Sequence, residues 1–116
     1  MVARERLICR SEDLPERGDG LRFEVDWMGG REPAFAVRYG GRVHAYLNRC
    51  SHVPMELDWQ PGRFFDAAGL YLVCGTHGAL YAPESGACVG GRCNGKGLRP
   101  LVVDERDGCV YLIEGE

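Results

Sequence analysis

The chain lacks any apolar run long enough to span a membrane, and its first residues, MVARERLICR, lack the apolar core of a secretory signal. A cytoplasmic address with no membrane partner is therefore expected. It has no excess of basic charge: the formal net charge is -3, and the Lys and Arg residues are scattered rather than gathered for phosphate contact, so nucleic acid is not an expected partner. It also lacks long polar or acidic tracts, low-complexity segments and internal repeats, which leaves no composition that would keep it unfolded or divide it. Helical periodicity is missing as well. The 17 glycines and six prolines cut the sequence into pieces too short for long helices. What remains is a 116-residue chain with 45% hydrophobic content, which reads as one domain over residues 1–116.

The segments that do carry a period carry that of strands. LRFEVDW alternates Leu21, Phe23, Val25 and Trp27 with Arg22, Glu24 and Asp26, the pattern of a strand with one buried face. PAFAVRY sets Phe35, Val37 and Tyr39 on one side, and RVHAYLN follows across Gly40-Gly41, a pair suited to a hairpin turn. Near the C-terminus LRPLVVDE and CVYLIE flank Asp107-Gly108, which predicts a second hairpin. The stretch MELDWQPGRFFDAAG shows no period and reads as a loop with one short helical turn. The fold class is all-β.

Six cysteines without a secretory signal suggest metal ligation or free thiols rather than a disulfide framework. Two of them stand close before histidines, in CSHVP (Cys50, His52) and CGTHGALY (Cys74, His77). Thiolate and neutral imidazole both suit borderline metals. A single tetrahedral zinc would accept all four ligands; a two-iron, two-sulfide cluster would divide them, sulfurs to one iron and nitrogens to the other.

The two boxes, Cys-x-His and Cys-x-x-His-Gly, resemble the Rieske iron–sulfur family, with Cys50, His52, Cys74, His77 and Gly78 matching position by position. YAPESGACVGG is similar to the segment that follows the second box in that family. The resemblance implies a small antiparallel β-sandwich or barrel with two cluster-binding loops at one end, and a Rieske-type [2Fe-2S] cluster. Cys50 and Cys74 would hold the inner iron, and His52 and His77 the outer iron near the surface. Two ferric ions, two sulfides, two thiolates and two neutral imidazoles sum to zero charge, two fewer negative charges than a four-cysteine cluster. That fits potentials of roughly -150 to +300 mV against about -400 mV for plant-type ferredoxins. The implied role is one-electron transfer between a reductase and a terminal oxygenase or other oxidoreductase. The small subunit of an assimilatory nitrite reductase is another setting, and a structural zinc module with the same four ligands is the alternative from a different class.

Departures from the family pattern are informative. Met55 and Thr76 stand where respiratory members carry disulfide cysteines, and Ala79 stands where they carry a serine, which points to the ferredoxin branch. Tyr81 keeps a tyrosine whose hydroxyl would hydrogen-bond a cluster sulfur. Gly75 replaces a common proline, and Gly91-Arg92 replaces Gly-Pro in the covering loop, where the Arg92 cation would favour the reduced cluster.

The remaining candidates carry simpler readings. GGRCNGKG approaches a phosphate-binding loop but has Gly97 where Ser or Thr is needed and no helix after it. His44 reads as a structural strand residue, Cys9 and Cys109 as small packed hydrophobes, and Trp27 and Trp59 as core and loop anchors. Cys88 and Cys93 could be free thiols, a disulfide pair or part of another site, with free thiols expected in the cytosol.

Overall fold

Alternation in β2 (Leu21–Trp27) follows the sequence pattern, with Val25 buried and Arg22, Glu24 and Asp26 exposed. In the computed structural model, which describes residues 4–27, 29–49, 56–58, 60, 62–75, 78–91 and 97–114, β2 is the edge of a four-stranded antiparallel sheet ordered β2-β3-β4-β8. Its partners are β3 (Gly30–Tyr39), β4 (Arg42–Leu47) and β8 (Pro100–Leu101). The predicted hairpin joins β3 and β4 through Gly40 (φ 65°) and Gly41 (φ 79°). Two successive positive φ values make the turn whose twist matches paired strands. Both turn amides donate to the Glu16 carboxylate, at 2.6 and 2.9 Å, and these bonds hold the Glu16 carboxyl below its ordinary pKa.

A second sheet, ordered β1-β10-β9, contains β1 (Arg4–Arg10), β9 (Val103–Arg106) and β10 (Cys109–Glu114). Asp107 and Gly108 both have positive φ and form the predicted β9–β10 turn. LRPLVVDE, read as one strand, is two: Pro100 and Leu101 pair with β4, while Val103 to Arg106 pair with β10. The break falls at Val102, which is 65% exposed. The chain changes sheets there, so a single continuous ladder is replaced by two short ones.

The third sheet, β5-β6-β7, is built from β5 (Leu72–Val73), β6 (Leu80–Tyr81) and β7 (Cys88–Gly90). The three sheets stack as layers with the four-stranded one in the middle. Ala34, Ala36, Ala45, Val25 and Leu47 face the β1-β10-β9 sheet and pack with Cys9, Val110 and Leu112. Phe35, Val37 and Tyr46 face the other way and pack with Leu57, Phe64, Leu72, Cys74, Ala79 and Tyr81. Burial on both faces explains why β3 reads AFAV rather than alternating polar and apolar. Small alanines let one layer approach while the aromatics fill the other.

The segment read as a featureless loop contributes more than expected. Leu57 and Phe64 are buried, and the Phe64 ring stacks on Phe35 at 4.0 Å between centroids and 11° between planes. Such a pair is worth about 0.5–1.5 kcal/mol beyond its burial. The expected helical turn is absent among its described residues; Asp66 instead closes a tight turn, accepting from Leu70 N–H at 2.9 Å. A 3-10 turn occurs at Ser11–Asp13. Among the described residues no helix is long and apolar enough to cross a membrane.

Cys9 is buried and Cys109 half-buried, both free thiols in strands as expected. Burial, with Asp13 nearby, pushes the Cys9 thiol up to about 11. His44 lies in β4 opposite Val37. The described residue after the glycine-rich GGRCNGKG segment, Leu98, leads into β8 and not a helix. The Trp27 side chain and Trp59 lie outside the described residues.

Candidate metal centre

Cys74 follows β5 directly, and its side chain is completely buried in the apolar core formed by Leu57, Phe64, Leu72, Ala79 and Tyr81. The β5–β6 hairpin fixes it from both sides of the peptide. Cys74 N–H donates to Ala79 O at 2.9 Å, and Gly78 N–H donates to Cys74 O at 2.7 Å. Cys74 and Gly78 of the second box thus close a hairpin whose base is a ladder of Leu72 with Tyr81 and Val73 with Leu80.

Two further stretches converge on this tip. Gly75 N–H donates to Leu57 O at 3.0 Å, and Leu57 N–H donates to the Asn48 side-chain Oδ1 at 2.8 Å. Asn48 follows β4 and precedes Cys50 by two residues, so Asn48 and Leu57, which flank the first box, are bonded to each other, and Leu57 is bonded to Gly75 of the second box. From the other side comes Gly91, with φ +75°; a Cβ built there would stand 2.5 Å from Gly78 O and 2.7 Å from Ala79 Cα. Only glycine allows so close an approach. The described residues near positions 50–55 and 76–77, together with Gly91 before positions 92–96, therefore meet at one end of the β5-β6-β7 layer.

Of the residues proposed from the sequence, Cys74 and Tyr81 are brought into one core, and Tyr81 lies opposite Leu72 and Cys88 in the ladder. Ala79 is fully buried beside them. Cys50, His52, Met55, Thr76, His77, Arg92 and Cys93 lie outside the described residues. One expectation is corrected: Cys88 is disulfide-bonded and not a free thiol. Its partner falls outside the described residues.

Sequence reading missed Asn48 and Asp58, the polar residues buried among those described, at 1% and 6% exposure. Asn48 Nδ2 donates to Asp58 Oδ1 at 2.9 Å; Asp58 Oδ2 accepts from Gly62 N–H at 2.9 Å and faces Arg22 Nε at 3.3 Å. Their nearest signal was proximity to the first box, in LNRC and ELDW, with no pattern to distinguish them from surface polar residues. Tyr46 was likewise unmarked. Its hydroxyl donates to Pro83 O at 2.6 Å, and burial, with Glu84 nearby, raises its pKa far enough that it stays a donor.

A thiolate in such an apolar setting needs a cation beside it to offset the cost of its buried charge. The buried Cys74, at a hairpin tip tied to the first box, fits a metal or cluster ligand. Fold and site together define an all-β protein with a buried cysteine, Cys74, at the end of β5, bonded through Gly75 and Leu57 to the residues that flank the first box.

The family model of the Rieske [2Fe-2S] domain matches residues 5–106, and the chain belongs to that family. Its cofactor is accordingly a Rieske-type [2Fe-2S] cluster, and the zinc alternative is not favoured. No curated protein sequence matches the chain. Among solved structures, the ferredoxin of carbazole 1,9a-dioxygenase from Nocardioides aromaticivorans IC177 is similar at TM-score 0.69 and 23% identity, over 97% of this chain and 98% of that one. A complex of reduced oxygenase and oxidized ferredoxin in carbazole 1,9a-dioxygenase is similar at TM-score 0.70 and 22% identity, over 97% and 94%. A fluorene-bound oxygenase and ferredoxin complex of the same dioxygenase gives TM-score 0.77 at 20% identity; there the chain covers 29% of the matched chain.

Proposed function

We propose that the protein is a one-electron carrier of the Rieske ferredoxin kind, with Cys50, His52, Cys74 and His77 as ligands, that passes electrons from a reductase to a terminal oxygenase in the cytoplasm. The observation that carries the assignment is Cys74, wholly buried at the hairpin tip and joined through Gly75 to the exit of the first box. When bound, the cluster supplies storage of a single electron.

The chain's own residues set the conditions for that storage. Leu57, Phe64, Leu72 and Ala79 exclude water around Cys74, which strengthens every charge interaction there. Tyr81 donates its hydroxyl toward a cluster sulfur in this proposal, a role supported by its full burial in the same core as Cys74. Arg92 contributes a cation that favours the reduced state, supported by the contact of its neighbour Gly91 with Gly78 and Ala79. The likeness to a ferredoxin along almost its whole length supports the carrier reading, and the ferredoxin–oxygenase complexes support the type of partner.

Aerobically purified protein is expected to be red-brown, with two iron and two acid-labile sulfide per chain by the family's cluster type. Reduction should give the electron paramagnetic resonance signal of a His-ligated cluster, abolished by Cys50→Ser or Cys74→Ser. Stopped-flow mixing of the reduced protein with a ring-hydroxylating terminal oxygenase should show its reoxidation. A colourless protein with stoichiometric zinc overturns the assignment.

A further inference from the structure

A buried amide and a buried carboxylate are costly unless their hydrogen bonds are made, and the bonds of Asn48 and Asp58 are made across the first box. Asn48 N–H donates to Pro33 O at 2.8 Å, which fixes its backbone to β3. Its side-chain Oδ1 accepts from Leu57 N–H at 2.8 Å, and its Nδ2 donates to Asp58 Oδ1 at 2.9 Å. Leu57 is bonded on its other side as well, its carbonyl accepting from Gly75 N–H at 3.0 Å. The relay runs from Asn48, two residues before Cys50, through Leu57, to Gly75, the residue after Cys74.

This relay spans a gap that no strand ladder among the described residues closes. Asn48 leaves β4 of the middle sheet, whereas Cys74 leaves β5 of the third sheet, and these sheets share no strand. Packing of Phe35 on Phe64 holds the layers together but does not set the position of either box along its loop. Hydrogen bonds do, because they are directional to a few tenths of an ångström. Asp58 orients the Asn48 amide so that the oxygen, not the nitrogen, meets the Leu57 N–H, and Gly62 and Arg22 anchor Asp58 in turn.

We propose that Asn48, oriented by Asp58, is a positioning residue that sets the spacing between the two ligand boxes and so governs retention of the cluster. The proposal rests on the ligand assignment above. Groups that orient metal ligands typically change metal affinity about 10–100-fold when removed.

The experiment uses the full-length holoprotein and three forms: Asn48→Ala, Asn48→Asp, and the exchange Asn48→Asp with Asp58→Asn. Asn48→Asp keeps an acceptor for Leu57 N–H but sets a second carboxylate against Asp58. The exchange inverts donor and acceptor within the pair and restores both bonds with the net charge unchanged from the parent. Cluster loss is followed as decay of visible absorbance under EDTA, the reduced-state electron paramagnetic resonance g values are recorded, and far-ultraviolet circular dichroism reports the fold. Both single variants should lose the cluster about 10–100-fold faster, with shifted g values, while the exchange returns to within about threefold of the parent. Parent-like decay and g values in Asn48→Ala overturn the proposal, as does an exchange no slower than Asn48→Asp. Should Asn48→Ala fail to fold, the comparison of Asn48→Asp with the exchange decides. Absence of iron and sulfide from the parent protein itself would instead overturn the ligand assignment, a result distinct from either.

Discussion

Gly91→Ala tests whether the third loop buttresses the metal centre through direct backbone contact. Two costs separate cleanly at this position. The first is conformational: a residue with a Cβ at φ +75° is in the left-handed region and costs about 1–2 kcal/mol. The second is steric, because the new Cβ meets Gly78 O at 2.5 Å and Ala79 Cα at 2.7 Å, and both are backbone atoms that no rotamer can move away. Displacing packed backbone costs about 1–3 kcal/mol. Together they give about 2–5 kcal/mol, a large share of the roughly 5–15 kcal/mol that stabilises a typical domain. Gly40→Ala isolates the first cost: its φ is +65°, and a Cβ there meets nothing within 4 Å. At about 4 °C per kcal/mol for a chain of this size, Gly40→Ala should lower the apparent melting midpoint by about 4–8 °C and Gly91→Ala by about 8–20 °C at the same scan rate. The functional difference should be sharper. Gly78 and Ala79 hold Cys74 through two backbone hydrogen bonds, so Gly91→Ala should also lower iron per chain, whereas Gly40→Ala, at the β3–β4 turn, should not. A Gly91→Ala protein that melts no lower than Gly40→Ala and carries the parent's iron refutes the reasoning.

Tyr81→Phe should lower the reduction potential by about 20–60 mV, the one-electron equivalent of one hydrogen bond to a cluster sulfur, and an unchanged potential by protein-film voltammetry counts against the assigned role. Tyr46→Phe leaves the Pro83 carbonyl without its buried donor, and urea titration should show a loss of about 1–3 kcal/mol with the slope unchanged. The third prediction concerns pH: Arg38 donates to both Glu105 oxygens, at 3.1 and 2.6 Å, and with a bond from Ser11 this holds the Glu105 carboxyl below its usual 4.5. A depressed carboxyl pKa stabilises the fold above the unfolded value, and that contribution is lost as pH falls through the folded value. Glu105→Gln should therefore cost about 1–2 kcal/mol at pH 7, with the gap between parent and variant narrowing as pH falls below the usual 4.5 and through the lowered folded value; a gap that does not narrow with acid refutes the linkage.

How far the sequence could be read depended on whether each feature was local. Strand β2 announced itself through its alternation, and β3, β4 and β10 through the paired-turn residues Gly40-Gly41 and Asp107-Gly108 beside apolar runs, signals that act over a few neighbouring positions. Membership of the family was legible for the same reason, since the two boxes that carry the resemblance are fixed offsets of unusual donors. The sheet change at Val102 was not, since an apolar run such as LVV looks the same whether it pairs with one strand or two. The core role of Leu57 and Phe64 was hidden because their partners, Asn48, Gly75 and Phe35, lie outside the local window that a sequence period covers. Asn48 and Asp58 were hidden by type, as amides and carboxylates ordinarily sit at the surface. The Cys88 disulfide ran against an expectation built on cell compartment and not on geometry.

The layering carries a consequence for how the metal centre can vary. Phe35, Val37 and Tyr46 belong to the middle sheet, and Leu57, Phe64, Leu72, Cys74, Ala79 and Tyr81 to the segments that bear the boxes, yet all lie in one continuous core. The outer β1-β10-β9 layer packs on the opposite face through Cys9, Val110 and Leu112 and shares none of those side chains. Substitutions in that outer layer are separated from the metal centre by the middle sheet, whereas any change in the Phe35 core alters both the stability of the fold and the surroundings of Cys74. Cavity-forming changes on the two faces should therefore separate. Val110→Ala lowers stability while leaving the cluster's potential in place, and Phe64→Ala, which costs about 3–5 kcal/mol by loss of a buried ring, moves both. Equal shifts in potential from the two would mean that the middle sheet transmits strain across its full thickness and does not insulate the centre.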